Sequence, residues 1–465
     1  MEQHGISKLD LKRRNRMQVL KILKQNGPTS RIDIAGALEL TRAAVTIITN
    51  EMIDQGIIHE IGEYKHITEK APRGRKKILI DINRHYKFVL GMAVEEDFIS
   101  VGLSTLGGEV LDKRILKINE STDRKTIYSF FIKSMNEVLT DNCLDQSSLL
   151  GIGFAIFPTM YSRLDISRGG GAPDFDKLKR FMSSYTDLPM IFDNSVKGTA
   201  MANIDFLKNR SPDTRNIAFL QYGRSLNFVF TNLNEPIVSY DNRTDFVDKM
   251  IINPGSDRIC ECGRRGCVEN EISLPALKRK ITRVLSEEQT PFLRAATEGK
   301  PERITRELVE LSYVKRDPAT VKIIDSAITM LAVLINNLFF STNPQSIVLH
   351  GFGFDDYIPY EKLRETLIRV GGERVASCVS PSIIEDKHQF LSGCALVIRE
   401  LFYNCGGYPI DSFGNPQHGT GDKDQDDDTA EAKDKKKKQK RKTKDKEKDK
   451  DTDNGKEKDK EEETE

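Results

Sequence analysis

Residues 30–63 read SRIDIAGALELTRAAVTIITNEMIDQGIIHEIGE, and residues 71–83 read APRGRKKILIDIN. Ser30 has a hydroxyl able to cap a helix, and Asp33, three residues on, is its capping-box partner. Ile32, Ile34 and Leu38 supply the inward face of that short helix. After Glu39-Leu40, Thr41 caps a further helix over residues 42–55, which Gly56 ends. Its apolar face is Val45, Ile48, Met52 and Ile53, while Thr41, Arg42, Thr46, Thr49 and Asn50 bring polar groups to its start. A helix that reads base edges in the major groove needs this division. Residues 57–63 and 77–82 alternate as two strands. The connection between them carries Arg73, Arg75, Lys76 and Lys77 around Gly74. Glycine lets the backbone approach a duplex, and the cations neutralise phosphates or enter the minor groove.

Upstream, residues 8–25 place Leu11, Val19, Leu20, Ile22 and Leu23 among basic residues, an amphipathic helix stopped by Asn26-Gly27-Pro28. Three helices followed by a two-stranded hairpin is the order of a winged helix-turn-helix, expected over residues 1–84. The net charge of +1 is unevenly spread: Lys12, Arg13, Arg14 and Arg16 join the loop cations in a basic first domain. That points to a polyanionic partner for this domain alone, a double-stranded DNA operator.

Downstream the pattern changes. FVLGMAV, ISVGLSTLGGEVL and ILKI read as an opening meander from Phe88. A helix over 126–139, the strand LLGIGFAIF, a helix over 177–185 and the strand MIFDN follow. NIAFLQY and LNFVFTNL form another strand pair, and an apolar helix over 327–340 precedes the strand SIVLHGFG. Such alternation predicts an α/β body with helices covering mixed sheets, over residues 85–414. Residues 415–465 contain no large apolar side chain and are expected to be a disordered, charged tail. With 465 residues the chain has room for two or three domains. No run of about 18 apolar residues suggests a membrane span. The charged start and the odd count of seven cysteines, three of them within eight residues, suit the cytoplasm and a metal site.

These stretches, with GLSTLGGEVL, GIGFAIFP, LPMIFDNSVKGTAMAN and CECGRRGCVE, resemble the ROK family of repressors, open reading frames and kinases. The resemblance covers everything but the extreme N-terminus and the tail, and implies a two-lobed, actin-like sugar-kinase body around a cleft. It also implies where kinase members keep their catalytic groups. The acidic, glycine-rich phosphate loop reads here Gly91-Met92-Ala93-Val94-Glu95-Glu96-Asp97, with two carboxylates that would repel ATP phosphates. The second phosphate loop reads Gly223-Arg224-Ser225. The Glu-Asn-Asp motif bearing the catalytic base reads Asp193-Asn194-Ser195, and a serine hydroxyl is no general base at neutral pH without an activator. The segment that would offer a sugar carboxylate and a zinc histidine reads Asp245-Phe246-Val247-Asp248-Lys249; shifted by one residue, Asp245 and Asp248 would fill both places. The Gly169–171 run falls where the family has a sugar-contacting loop, and equally suits a flexible connection. Neither catalytic residues nor ATP are therefore expected, and an effector site would rest on Asn194, Asp193 and Asp245.

Cys260, Cys262 and Cys267 form Cys-x-Cys-Gly-x-x-Gly-Cys, whose three thiolates can converge on structural Zn2+. The fourth ligand stays open between Asp248, Asp257 and a more distant group. The expectation is a dimeric or higher homo-oligomeric repressor of carbohydrate-related genes, with a sugar or sugar-derivative effector. Two alternatives remain: a body that is only a dimerisation scaffold, and an ATP-dependent sugar kinase.

Overall fold

The structure, a computed structural model, describes residues 8–63, 77–167, 173–207, 216–232, 246–351 and 357–408. Four of the loop candidates (Arg73, Gly74, Arg75 and Lys76), Asp245, the Gly169–171 run and the charged tail lie outside these residues.

The N-terminal helices form where their caps predict. Helix α1 (Lys8–Asn26) leads through the two-residue strand β1 (Thr29–Ser30) to α2 (Arg31–Leu38), where the Ser30 hydroxyl accepts from the Asp33 amide. The turn passes through Glu39 at φ 55°, a left-handed position that closes α2. Thr41 then caps α3 (Arg42–Asp54) by accepting from the Ala44 amide. Strands β2 (Ile58–Glu63) and β3 (Ile78–Ile82) pair antiparallel, and β1 adds to the far edge of β3. This third strand is too short to carry an alternating signal. Within α2, Ile34 is buried, but Ile32, expected inside, is 44% exposed.

The first lobe is built on a five-stranded sheet of order β6-β5-β4-β7-β8. Strands β4 (Phe88–Val94), β5 (Phe98–Thr105) and β6 (Val110–Lys117) form the meander. The turn falls inside the stretch read as one strand, because the Gly107-Gly108 pair reverses the chain. Helix α4 (Arg124–Asp141), strand β7 (Leu149–Ile156), helix α5 (Asp176–Met182), strand β8 (Met190–Asn194) and helix α6 (Ser195–Phe206) complete it, with β4, β7 and β8 parallel.

The second lobe has a four-stranded sheet of order β10-β9-β11-β12. Its hairpin β9 (Asn216–Tyr222) and β10 (Leu226–Asn232) is followed by helices α7 (Val268–Ile272), α8 (Leu274–Thr282), α9 (Pro291–Ala296), α10 (Arg306–Val314) and α11 (Pro318–Thr342). Strand β11 (Ser346–Gly351), helix α12 (Tyr357–Ala376) and strand β12 (Val379–Pro381) close the lobe. Helix α11 is long and apolar enough to cross a membrane, yet Ile324, Ile328, Leu331 and Ile335 on it lie in the lobe's core. Helical packing explains the composition.

Helix α13 (Leu391–Val397) returns to the first lobe and continues as a π-helical segment over Ile398–Tyr403. It lies so close to the sheet that a Cβ on Gly153 would sit 1.9 Å from the Gly393 carbonyl oxygen. Leu401 and Phe402 share one apolar cluster with Val19, Leu20 and Leu23 of α1 and with Val45 and Met52 of α3. The DNA-binding domain and the body are thus packed through a common core.

Candidate DNA-reading helix and interlobe cleft

Helix α3 buries Val45, Ile48, Thr49 and Met52 and turns Arg42, Thr46, Ile47 and Asn50 to the outside. Thr49 therefore drops out of the base-reading set. It is 0% exposed, its hydroxyl donates to the Val45 carbonyl 2.8 Å away, and it accepts from Arg31 Nε at 3.0 Å. The helical angle places it on the inner face beside Val45, which polarity alone does not reveal. Ile47 takes the vacated outer position at 69% exposure, an aliphatic group suited to a thymine methyl. Sequence reasoning passed over it because it is apolar. The Asn50 amide oxygen accepts from Arg31 Nη2 at 3.1 Å, which orients the side chain. Lys77 is exposed and pairs with Asp33 at 2.7 Å, and that ammonium is the first cause holding the Asp33 carboxyl below its usual range.

The basic residues of α1 divide differently from the expectation. Arg16 is 0% exposed: its guanidinium donates to the Gly406 carbonyl at 2.8 Å and to Gln55 Oε1 at 2.7 Å, and stacks on Tyr408. Arg13 donates to the Asn404 carbonyl at 2.7 Å, and Lys12 pairs with Glu51 at 3.0 Å. Arg13 and Arg16 fasten α1 to the end of the body, and Lys12 ties it to α3, so only Arg14 of this cluster is exposed. Counting charges in the sequence cannot separate such junction cations from phosphate contacts.

Between the lobes lies a cavity of about 420 Å³, where the loop after β4 faces the β9–β10 turn, α8, α10 and the end of β11. Glu95 is 7% exposed, and burial pushes its carboxyl up to about 8, with the Ser195 and Gln389 side chains opposing the rise. Glu96 accepts from the Thr159 hydroxyl and reaches Arg224 of the β9–β10 turn at 3.7 Å. Arg306 bridges Glu310 at 3.0 Å and Asp386 at 3.2 Å. An ion pair thus joins the two loops that cradle phosphates in the resembling kinases. His350 is buried at the cavity edge, stacked on Phe219, and burial lowers its pKa. The sequence pointed to the loop of Glu95 and Glu96 but not to Gln221, Arg306, His350 or Gln389, which reach the cavity from distant segments.

Asp193 and Asn194 are not among the cavity-lining residues. Asn194 is 2% exposed and caps α6, its side chain accepting from the Val196 amide at 2.8 Å. Asp193 accepts from the buried Lys197 ammonium at 2.9 and 3.1 Å, and Ser195 is fully buried as the first residue of α6. In the register that the resemblance implies, Ser195 stands in the place of the kinase base.

The three cysteine sulfurs lie within 4.8 Å of one another, with Cys260 and Cys267 buried and Cys262 exposed. The Cys262–Cys267 separation of 3.5 Å is close to the edge of about 3.8 Å that a tetrahedral site with Zn–S bonds near 2.3 Å requires. Gly266, at φ 69°, makes the loop possible: a Cβ there would sit 1.8 Å from the Asn253 carbonyl oxygen. The donor set fits zinc. Of the fourth-ligand candidates, Asp248 is buried and accepts from the Leu226 amide at 2.7 Å; Glu269, which the sequence did not single out, brings Oε2 to 3.7 Å from Cys260 Sγ and pairs with Lys249.

A small helix-turn-helix with two exposed faces, joined to a two-lobed body around a cleft, defines the class: a winged-helix DNA-binding protein on a sugar-kinase-like scaffold. The profile of the ROK family matches residues 247–387, and that of winged helix-turn-helix DNA-binding domains matches residues 12–59. The chain is therefore similar to the ROK family over residues 247–387 and to winged helix-turn-helix domains over residues 12–59. It is 24% identical over 348 residues to a putative xylose repressor of Caldicellulosiruptor sp. (strain Rt8B.4), spanning 73% of this chain and 83% of that one. A solved ROK family transcriptional regulator, homologous to the E. coli MLC protein, superposes with a TM-score of 0.63 at 22% identity over 85% of this chain and 97% of its own. A ROK glucokinase from Streptomyces griseus, bound to glucose and AMPPNP, superposes with a TM-score of 0.53 at 15% identity over 66% of this chain and 97% of its own.

Proposed function

We propose that the chain is a cytoplasmic transcription regulator, a repressor of carbohydrate-related genes, that binds a pseudo-palindromic operator as a dimer. The observation that carries this reading is α3: capped by Thr41, keyed into the core on one face, and offering Arg42, Thr46, Ile47 and Asn50 on the other. Arg73, Gly74, Arg75, Lys76 and Lys77 are assigned to the wing that holds the phosphates. A two-fold dimer would read half-sites spaced by about one helical turn or a multiple of it.

The body is proposed to be a non-enzymatic effector and dimerisation module. The Glu96–Arg224 pair joins the two segments that resemble phosphate loops, and Asp193-Asn194-Ser195 has serine where the resemblance implies the base, which together argue against phosphotransfer. Cys260, Cys262 and Cys267 are assigned to a structural zinc ion, whose charge would fold the cysteine loop against α7. The effector site is placed in the cleft; of the residues the sequence offered for it, Asp193 and Asn194 lie outside the cavity lining and Asp245 lies outside the described residues.

Selection of bound DNA from a random pool tests the reading. A palindromic motif is expected, with relaxed base preference in Asn50→Ala. The double substitution of Arg75 and Lys76 by alanine should weaken binding to every sequence and lower the salt slope by about one to two units. Recovery of no enriched motif would sink the regulator assignment.

A further inference from the structure

The interlobe cavity is lined by more carboxyl groups than cations, and its buried polar atoms without a partner include two glutamine oxygens and His350 Nδ1. Glu95, Glu96, Asp97, Glu120 and Asp386 face Arg224, Lys278 and Arg306. Two of the cations are already committed, Arg224 to Glu96 and Arg306 to Asp386 and Glu310. Among the described residues neither Asp97 nor Glu120 has a cation within 4.0 Å. A second, independent feature lies in the wall itself. Gln389 is 1% exposed; its Nε2 donates to Glu95 Oε1 at 3.2 Å and to Thr199 Oγ1 at 2.5 Å, and its Oε1 has no partner. Across the cavity Gln221 Oε1 is likewise buried without a partner. A buried acceptor left unsatisfied costs about 1–3 kcal/mol, and a site with several such atoms gains most from a ligand rich in donors. Phosphate offers only acceptors and negative charge, so a nucleotide would meet repulsion on the loop and no donor at either glutamine oxygen.

We propose that the cavity takes a small organic cation whose ammonium or guanidinium N–H groups meet Glu95, Gln389 and Gln221. This rests on the reading of the cleft as the effector site and names the chemistry of its occupant. The bound cation donates to the glutamine oxygens and sets its charge against Asp97 and against Glu95, whose carboxyl, protonated by burial in the unliganded chain, gives its proton to solvent as the cation binds, making the charge-assisted bonds that a neutral polyol of the same size lacks. About 420 Å³ accommodates a single sugar-sized or arginine-sized molecule.

The test uses the full chain, with calorimetry and thermal shift over matched probes: glucosamine against glucose, agmatine against 1,4-butanediol, and AMPPNP. Glucosamine or agmatine is expected to bind and raise the melting temperature, while glucose, butanediol and AMPPNP do not. Glu95→Gln and, separately, Gln389→Leu should each weaken amine binding at least tenfold while the unliganded proteins melt cooperatively. Equal binding of the neutral partner, binding of AMPPNP, no binding of either amine, or indifference to both substitutions would each overturn the proposal. Operator binding by the unliganded chain is measured separately, so loss of the cation site leaves the regulator reading standing, and loss of DNA binding leaves the cation site testable.

Discussion

Glu95 shows what one misplaced carboxyl does to a cleft. Glu95 falls where the resemblance implies glycine, and burial pushes its carboxyl from 4.5 up to about 8. The unfolded chain loses this proton near pH 4.5 and the folded chain holds it until about pH 8. Stability from this group is therefore complete below pH 4.5, declines through that window, and is lowest above it. At about 1.4 kcal/mol per unit, the loss amounts to a few kcal/mol. Glu95→Gln keeps the shape and the Gln389 contact without the charge. Melting temperatures of the two proteins should agree at pH 5 and separate by pH 9, with the variant higher; parallel curves would show that Glu95 ionises freely. At the same scale, Thr46 and Thr49 are chemically identical in the sequence. Their separation into an exposed and a buried hydroxyl depends on the phase of α3, which the apolar set Val45, Ile48 and Met52 fixes only to within about one position.

At the scale of elements, the legible parts were those whose signals are local. The Ser30 and Thr41 caps, the α3 apolar face and the two wing strands are each decided within a few residues, and each forms where expected. The cleft is the opposite case: Glu95, Gln221, Arg306, His350 and Gln389 come from five segments, so no sequence window contains the site. Helix α13 was missed for a related reason, since all seven of its residues are buried and a helix apolar on every side has no period to read. The cysteine loop lies between these extremes: its spacing announces three ligands, and its fourth depends on the fold. One zinc ion per chain is expected by elemental analysis, falling below stoichiometry in Cys262→Ser. If zinc is bound, removing it with a strong chelator should lower the melting temperature, because the ion would crosslink the cysteine loop to Cys267 at the start of α7. A metal-free chain as isolated from zinc-supplemented growth, with unchanged melting after chelation, would refute the site.

At the scale of the whole molecule, three distant segments meet at one charged junction beside the shared apolar cluster. Asp205, at the end of α6, has a side chain only 2% exposed and accepts from Arg399 Nε at 2.7 Å, from Arg399 Nη2 at 2.9 Å and from Lys24 at 2.8 Å. Burial alone would raise its pKa, but Arg399 and Lys24 outweigh burial and hold the carboxyl far below the usual range. Lys24 belongs to α1 of the DNA-binding domain, Arg399 to the π-helical end of α13, and α6 starts at Ser195, capped by Asn194. The segment leading into α13 contains Gln389, whose amide donates to Thr199 of α6. A single carboxylate therefore ties the DNA-reading domain to both helices that run back to the cavity. Asp205→Asn keeps the volume but leaves two cations without a counter-charge, and breaking such a pair from one side costs about 3–5 kcal/mol. Lys24→Met leaves the Arg399–Asp205 bidentate pair intact and should cost about 1 kcal/mol, Lys24 being partly exposed. The two variants should therefore rank clearly in melting temperature, with Asp205→Asn the lower and its loss diminishing below about pH 4, where the wild-type carboxylate itself begins to protonate in the unfolded chain. Equal melting of Asp205→Asn and wild type at pH 7 would mean that the shared apolar cluster around Leu20, Met52 and Phe402 holds the domains together unaided.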